Sequence, residues 1–107
     1  MGAWRHNIAM SNPPAPAPLA IAHLPDSGRF EVVVDGALGE LEYRLGAGVM
    51  SITHTGVAPS LEGRGIAGAL MRAALAHAVA SGWKVRPLCS YARTYMDRHP
   101  ATSALLA

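Results

Sequence analysis

Between Leu19 and Val57 apolar and polar residues alternate in short runs, and turn-forming residues separate the runs. Half-buried strands have this pattern. Leu19 to His23 reads as a short first strand, followed by the turn Pro25-Asp26-Ser27-Gly28. Arg29 to Val34 is rich in β-formers, and Asp35-Gly36 is a hairpin signal. Glu40 to Leu45 alternates strictly, and Gly46-Ala47-Gly48 turns the chain again. Val49 to Val57 is a longer strand. Unbroken alternation puts Val49, Ser51, Thr53 and Thr55 on one face and Met50, Ile52, His54 and Gly56 on the other. Successive hairpin-like connections predict an antiparallel meander of about four strands.

The period then changes. Ile66, Leu70, Ala73, Ala74 and His77 recur at helical spacing, and Ser81-Gly82 supplies a glycine stop. Lys84 to Leu88 is a compact strand running into Cys89, and residues 90–99 predict a second helix ended by Pro100. The order β-β-β-β-α-β-α implies a mixed α/β (α+β) sheet. Its fourth and fifth strands should be parallel and joined by a right-handed crossover. Residues 1–18 lack this patterning. Pro13, Pro14, Pro16 and Pro18 between alanines predict an extended, flexible tail, leaving 19–107 as one domain.

Composition removes several function classes. Half of the 107 residues are hydrophobic and 15% are charged, which suits a folded domain rather than a disordered one. The net charge is +2, and the eight Arg and one Lys are scattered, so no nucleic-acid partner is expected. A single cysteine excludes an internal disulfide, and the five His show no ligand-like pairing, so no metal is expected. No apolar run approaches the ~20 residues that span a bilayer. No membrane partner is expected, and without a signal-peptide pattern the expected location is the cytoplasm.

The segment from Val57 to Leu70 carries the clearest chemistry. It reads as a strand end, a glycine-rich turn and a helix start. Unpartnered N–H groups and the positive dipole end of such a helix favour an anion, typically a phosphate. Gly63-x-Gly65-x-x-Gly68 matches the dinucleotide fingerprint. Its context does not: four strands precede it, and residues 83–91 contain no acid. A Walker A loop fails for want of Gly-Lys-Ser/Thr. The alternative is that the glycines serve close packing on the sheet.

At these residues the chain resembles the GNAT superfamily of acyl-CoA-dependent N-acetyltransferases. The superfamily signature, Arg/Gln-x-x-Gly-x-Gly/Ala, reads here Glu62-x-x-Gly65-x-Ala67. Glu62 departs from it. The chain is more closely similar to small, stand-alone NATD-type members. Their pattern appears as Tyr43-Arg44, His54-Thr55-x-Val57-x-Pro59, Leu61-Glu62-Gly63-Arg64-Gly65-Ile66-Ala67, Pro87-x-Cys89-Ser90-Tyr91 and Arg98-His99-Pro100. The resemblance spans roughly residues 20–107. It implies acetyl-CoA as cofactor and an amine acceptor, either a small molecule or a protein. It also implies that Thr55, Gly56 and Val57 bond the pantetheine through their backbones. Gly63, Arg64, Gly65, Ile66, Ala67 and Gly68 would hold the pyrophosphate.

Acetyl transfer from a thioester needs a nucleophile, carbonyl polarisation and proton handling. Cys89, at the end of the fifth strand, can accept the acetyl group or merely shape the pocket; a lone Cys is also often buried and inert. His54 can act as a general base or be a structural histidine between strand and helix. Tyr91 and Tyr95, four apart on one helix face, are candidates to protonate the leaving thiolate, and either can equally be core. His77 reads as packing. Full-sized relatives have helices walling the acceptor site, where this chain has only the Pro25–Gly28 turn. That leaves room for a protein acceptor, a homodimer that completes the pocket, or a CoA-binding module with little turnover.

Overall fold

Turn chemistry sets the strand ends. In the computed structural model, which describes residues 19–107, five strands form one sheet in the order β1-β2-β3-β4-β5. They are β1 (Ala22–Leu24), β2 (Arg29–Val34), β3 (Ala37–Gly46), β4 (Val49–Val57) and β5 (Lys84–Pro87). The first four are antiparallel and β5 lies parallel to β4. Helix α1 (Ile66–Ser81) makes the crossover and α2 (Ser90–Arg98) follows β5. The expected mixed sheet and element order are therefore present. The tail expected over residues 1–18 lies outside the described residues.

Three boundaries differ from expectation. The first strand is Ala22–Leu24 rather than Leu19–His23, because only those residues pair with β2. β3 starts at Ala37, directly after the Asp35-Gly36 turn, and β5 ends at Pro87. The C-terminal segment forms a 3-10 turn over Pro100–Leu105, and Leu106 then bridges Val85. That bridge covers the free edge of β5, which would otherwise expose unpaired backbone groups.

Both helices pack on one face of the sheet. Phe30, Val32, Leu41, Tyr43, Met50, Ile52 and Val85 meet Ile66, Leu70, Met71, Ala74, Leu75 and Ala78 of α1 and Ala92 and Met96 of α2. Fully burying a side chain such as Leu41, Ile52 or Leu70 contributes about 2 kcal/mol. The other face carries Arg29, Glu31, Glu40, Glu42, His54 and Arg86. Among the described residues no helix covers it. This is a two-layer arrangement with one solvated sheet face.

A bulge in β4 changes the expected faces. Glu42 pairs with His54 while Tyr43 pairs with Ile52, so Thr53 is an extra residue. The side-chain phase slips by one there. Thr55 and Val57 consequently join Met50 and Ile52 on the helix face. His54 and Gly56 join Val49 and Ser51 on the open face. Unbroken alternation had assigned them the other way.

Far from the glycine turn, β1 is held by an aromatic cluster. His23 stacks on Phe30 of β2 (centroids 4.1 Å apart, planes at 5°) and meets His77 of α1 edge-on at 4.3 Å. Its Nε2 is 2.6 Å from the Tyr43 hydroxyl of β3, and Trp83 packs behind His77. Burial first, and the neighbouring His77 second, push the His23 pKa below the ordinary histidine value. The folded state thus binds the His23 proton less readily than the unfolded chain. This contribution to stability is present above the ordinary histidine range and is lost as pH falls through the lowered value. The unfolding temperature should fall between about pH 7.5 and 5.5, and His23→Gln should flatten that dependence. Identical pH slopes for the two proteins in thermal melts would contradict the assignment.

Candidate active site

The site begins where β5 leaves β4. Pairing between them runs from Val49–Lys84 to Ile52–Pro87. There the N–H groups of Leu88 and Cys89 both donate to the Ile52 carbonyl, at 2.9 and 3.1 Å. β5 then turns into α2, while β4 continues to Val57, paired there with β3 alone among the described residues. A gap opens beside the second half of β4. The Ala58 N–H donates to Leu38 O at 2.9 Å, which sets the alternation of backbone groups. His54 and Gly56 direct their backbone groups to β3, whereas Thr55 and Val57 direct theirs into the gap. Of the three residues expected to offer their backbones, Thr55 and Val57 can do so, and Gly56 is engaged with Glu40.

Cys89 sits at the foot of this gap as the N-cap of α2, and its Sγ accepts from Ala92 N–H at 3.3 Å. Thr55 Oγ1 lies 3.7 Å from that sulfur. The thiol is half-buried and free. The bulge is what brings Thr55 onto its side of the sheet.

The glycine turn lies beyond the end of β4. Gly63 and Gly65 have φ of +79° and +78°, and a Cβ on either would meet no atom within 4 Å. Backbone conformation, rather than close packing, therefore demands glycine at both. α1 starts at Ile66 with no side-chain cap and no carboxylate in its first turn. Its first N–H groups, on Ile66, Ala67 and Gly68, lie ahead of any intrahelical partner, an arrangement that favours an anion. Arg64 lies over the turn, 3.1 Å from Asp35, and is half-exposed. Glu62 is exposed and makes no ion pair among the described residues.

From this helix end a groove of about 350 Å³ runs between α1 and α2. Gly65, Gly68 and Arg72 form one wall; Tyr91, Thr94, Tyr95, Arg98 and His99 form the other. Tyr91 and Tyr95 lie 6.4 Å apart, and Tyr95 stacks on His99 at 4.0 Å. The His99 ring is fixed by Nδ1–H donating to the Tyr95 carbonyl at 2.7 Å. Burial first, then Tyr95, raise the Tyr91 pKa against the lowering effect of Arg72. Its phenol stays protonated at neutral pH. A larger hollow of about 790 Å³ lies on the other side of α1, against Val32–Val34, but holds none of the candidate nucleophiles or bases. The groove is the part that touches the chemistry.

His54 stands apart from these groups. It is half-exposed on the open face, with Nε2 3.6 Å from Glu40 Oε2. The structural alternative, a histidine wedged between strand and helix, is excluded, because the bulge turns it away from both helices. His77 packs in the β1 cluster, as expected. Sequence reasoning missed Arg72, Thr94 and Arg98 as groove residues and Glu40 as the neighbour of His54. Only the four-residue spacing of Tyr91 and Tyr95 signalled the groove's aromatic wall, and His99 was not read as part of it.

A fifth strand that leaves the fourth, beside a helix start without a side-chain cap, is the arrangement that the resemblance to the GNAT acyltransferases implied. The family model for GCN5-related N-acetyltransferases matches residues 29–105, and the chain belongs to that family. The solution structure of a GCN5-like N-acetyltransferase candidate from Staphylococcus aureus is similar, with a TM-score of 0.69 and 26% identity. The match covers 85% of this chain and 90% of that one. A search of curated proteins gives no match. Among the described residues no helix is long and apolar enough to cross a membrane.

Proposed function

We propose that the chain transfers the acetyl group of acetyl-CoA to an amine. One observation carries the reading: the backbone edge of β4 at Thr55 and Val57, unpaired among the described residues, lies between a cysteine at a helix start and a helix end that has glycine as its N-cap and no side-chain cap. The residues fit such a cofactor along its length. Thr55 and Val57 match the amides of a pantetheine arm as a neighbouring strand would. The N–H groups of Ile66, Ala67 and Gly68, with Arg64 and Arg72, match a pyrophosphate. Tyr95 and His99 offer a stacking surface for the base.

Bound acetyl-CoA supplies an activated thioester. The rest falls to the protein. His54, on the open face, would take the proton of an amine that reached the thioester from that side. The Tyr91 phenol, which stays protonated, would supply the proton that the thiol leaving group needs. In this reading Cys89 shapes the gap and caps α2. The reaction is set in the cytoplasm, a reducing compartment that keeps a lone cysteine free.

Calorimetric titration with acetyl-CoA, CoA and NADPH, followed by thiol release over an amine panel, tests the proposal. Saturable CoA binding with amine-dependent thiol release is the expected result. CoA binding without thiol release would leave a binding module. Absence of CoA binding would overturn the proposal. Cys89→Ala should keep turnover within about tenfold of wild type, since direct transfer needs no acetylated cysteine. A far larger loss, with an acetyl group found on Cys89 by mass spectrometry, would establish a covalent route instead.

A further inference from the structure

We infer that Gly56 and Glu40 are positioning residues for His54, an inference resting on the reading of His54 as the base. Gly56 sits inside regular β4, and its φ is not positive. Nothing in its backbone conformation requires glycine, and glycine weakens a strand interior. Space accounts for it. A Cβ at Gly56 would stand 3.0 Å from His54 Nε2 and 3.2 Å from Cε1. The imidazole lies across the glycine, two residues along the same face.

Glu40 is the cross-strand partner of Gly56 and borders the same seat. Its Oε2 is 3.6 Å from His54 Nε2, while its Oε1 accepts from Arg29 Nη2. Arg29 is itself 3.2 Å from Glu31. A fixed carboxylate thus faces one ring nitrogen, and Nδ1 has no partner among the described residues. The seat turns His54 so that Nε2–H faces Glu40 and the Nδ1 lone pair takes the amine proton. Gly56 cannot owe its place to a pantetheine contact, because its backbone is paired with β3 and its missing side chain would point away from the helices.

A double-mutant analysis separates seat from base. kcat and KM are measured with acetyl-CoA and the best amine of the panel for His54→Gln, Gly56→Ala, Glu40→Gln and the two double variants containing His54→Gln. His54→Gln should lower kcat about 100-fold. Gly56→Ala should lower it about tenfold, and Glu40→Gln severalfold, with KM for acetyl-CoA unchanged. In the His54→Gln background neither should have a further effect. The His54 ring resonances should shift in Gly56→Ala and Glu40→Gln, a readout independent of turnover. The new Cβ meets only the movable end of a side chain, so Gly56→Ala should fold.

Equal losses in both backgrounds, or unmoved ring resonances, would overturn the positioning role and leave the base intact. Wild-type kcat in His54→Gln would overturn the base, and the positioning role with it.

Discussion

Gly28→Ala is expected to destabilise the protein by about 3–5 kcal/mol, a large part of the 5–15 kcal/mol that holds a typical domain together. Gly28 closes the 3-10 turn Pro25–Ser27 with φ 63° and ψ 47°, a left-handed conformation. For an alanine that conformation alone costs about 1–2 kcal/mol. The contact is worse than the torsion. A Cβ at Gly28 would lie 2.4 Å from the Tyr43 carbonyl oxygen, a backbone atom inside β3. Strand β3 cannot give way cheaply, because the Tyr43 N–H donates to the Gly28 carbonyl at 2.8 Å. Moving either strand also strains the Tyr43–His23 hydrogen bond that anchors β1. Gly36 is the control. Its φ is +78°, but a Cβ there would meet nothing within 4 Å. Gly36→Ala should therefore cost only the torsional term, about 1 kcal/mol. Urea unfolding of the two variants measures the difference. Equal stabilities would show that the close approach at Gly28 is relieved by local movement.

Elements bounded by turn chemistry were legible to the residue. β2, β4 and α1 run over Arg29–Val34, Val49–Val57 and Ile66–Ser81, and they are followed by Asp35-Gly36, Ala58-Pro59 and Gly82. β1 was misplaced because apolar character alone marked Leu19 to His23, while pairing with β2 decides the strand. The bulge at Thr53 was not legible. It depends on how β4 meets β3, and a period-two reading of one strand holds no information about its partner. Its consequence was large, since it exchanged the faces of Thr55 and His54. The glycine turn was legible because positive φ and an uncapped helix start are local properties. The groove was not: Arg72 and Tyr95 meet only after α1 and α2 pack on the same face. Gly56 belongs to the same class. Its meaning depends on a ring two residues away and a carboxylate on the next strand.

Gly68→Leu is expected to abolish cofactor binding while leaving the fold as stable as before or more so. Gly68 lies in the first turn of α1 with a helical backbone, so a side chain there is not strained. A Cβ would make ordinary contacts with Arg72 Nη1 at 3.5 Å, the Tyr91 hydroxyl at 3.8 Å and Tyr95 Cε2 at 4.0 Å. Replacing glycine by alanine or leucine within a helix is worth roughly 0.5–1 kcal/mol in propensity. By stability alone this glycine is a weakness. The groove supplies the reason for it, because Cβ is the last atom that fits without narrowing the space between α1 and the Tyr91–Tyr95 wall. Leucine sends its branched end into that space, between the first N–H groups of α1 and the stacked rings of Tyr95 and His99. The affinity for acetyl-CoA should fall at least about 1000-fold, equivalent to about 4 kcal/mol. Gly68→Ala should bind within about tenfold of wild type and melt at a higher temperature. Calorimetric titration beside thermal melts reads both quantities. A folded Gly68→Leu protein with wild-type affinity would mean that the cofactor does not pass between α1 and α2. The larger hollow on the other side of α1, which is also lined by Arg64, Gly65 and Arg72, would then be the route to test.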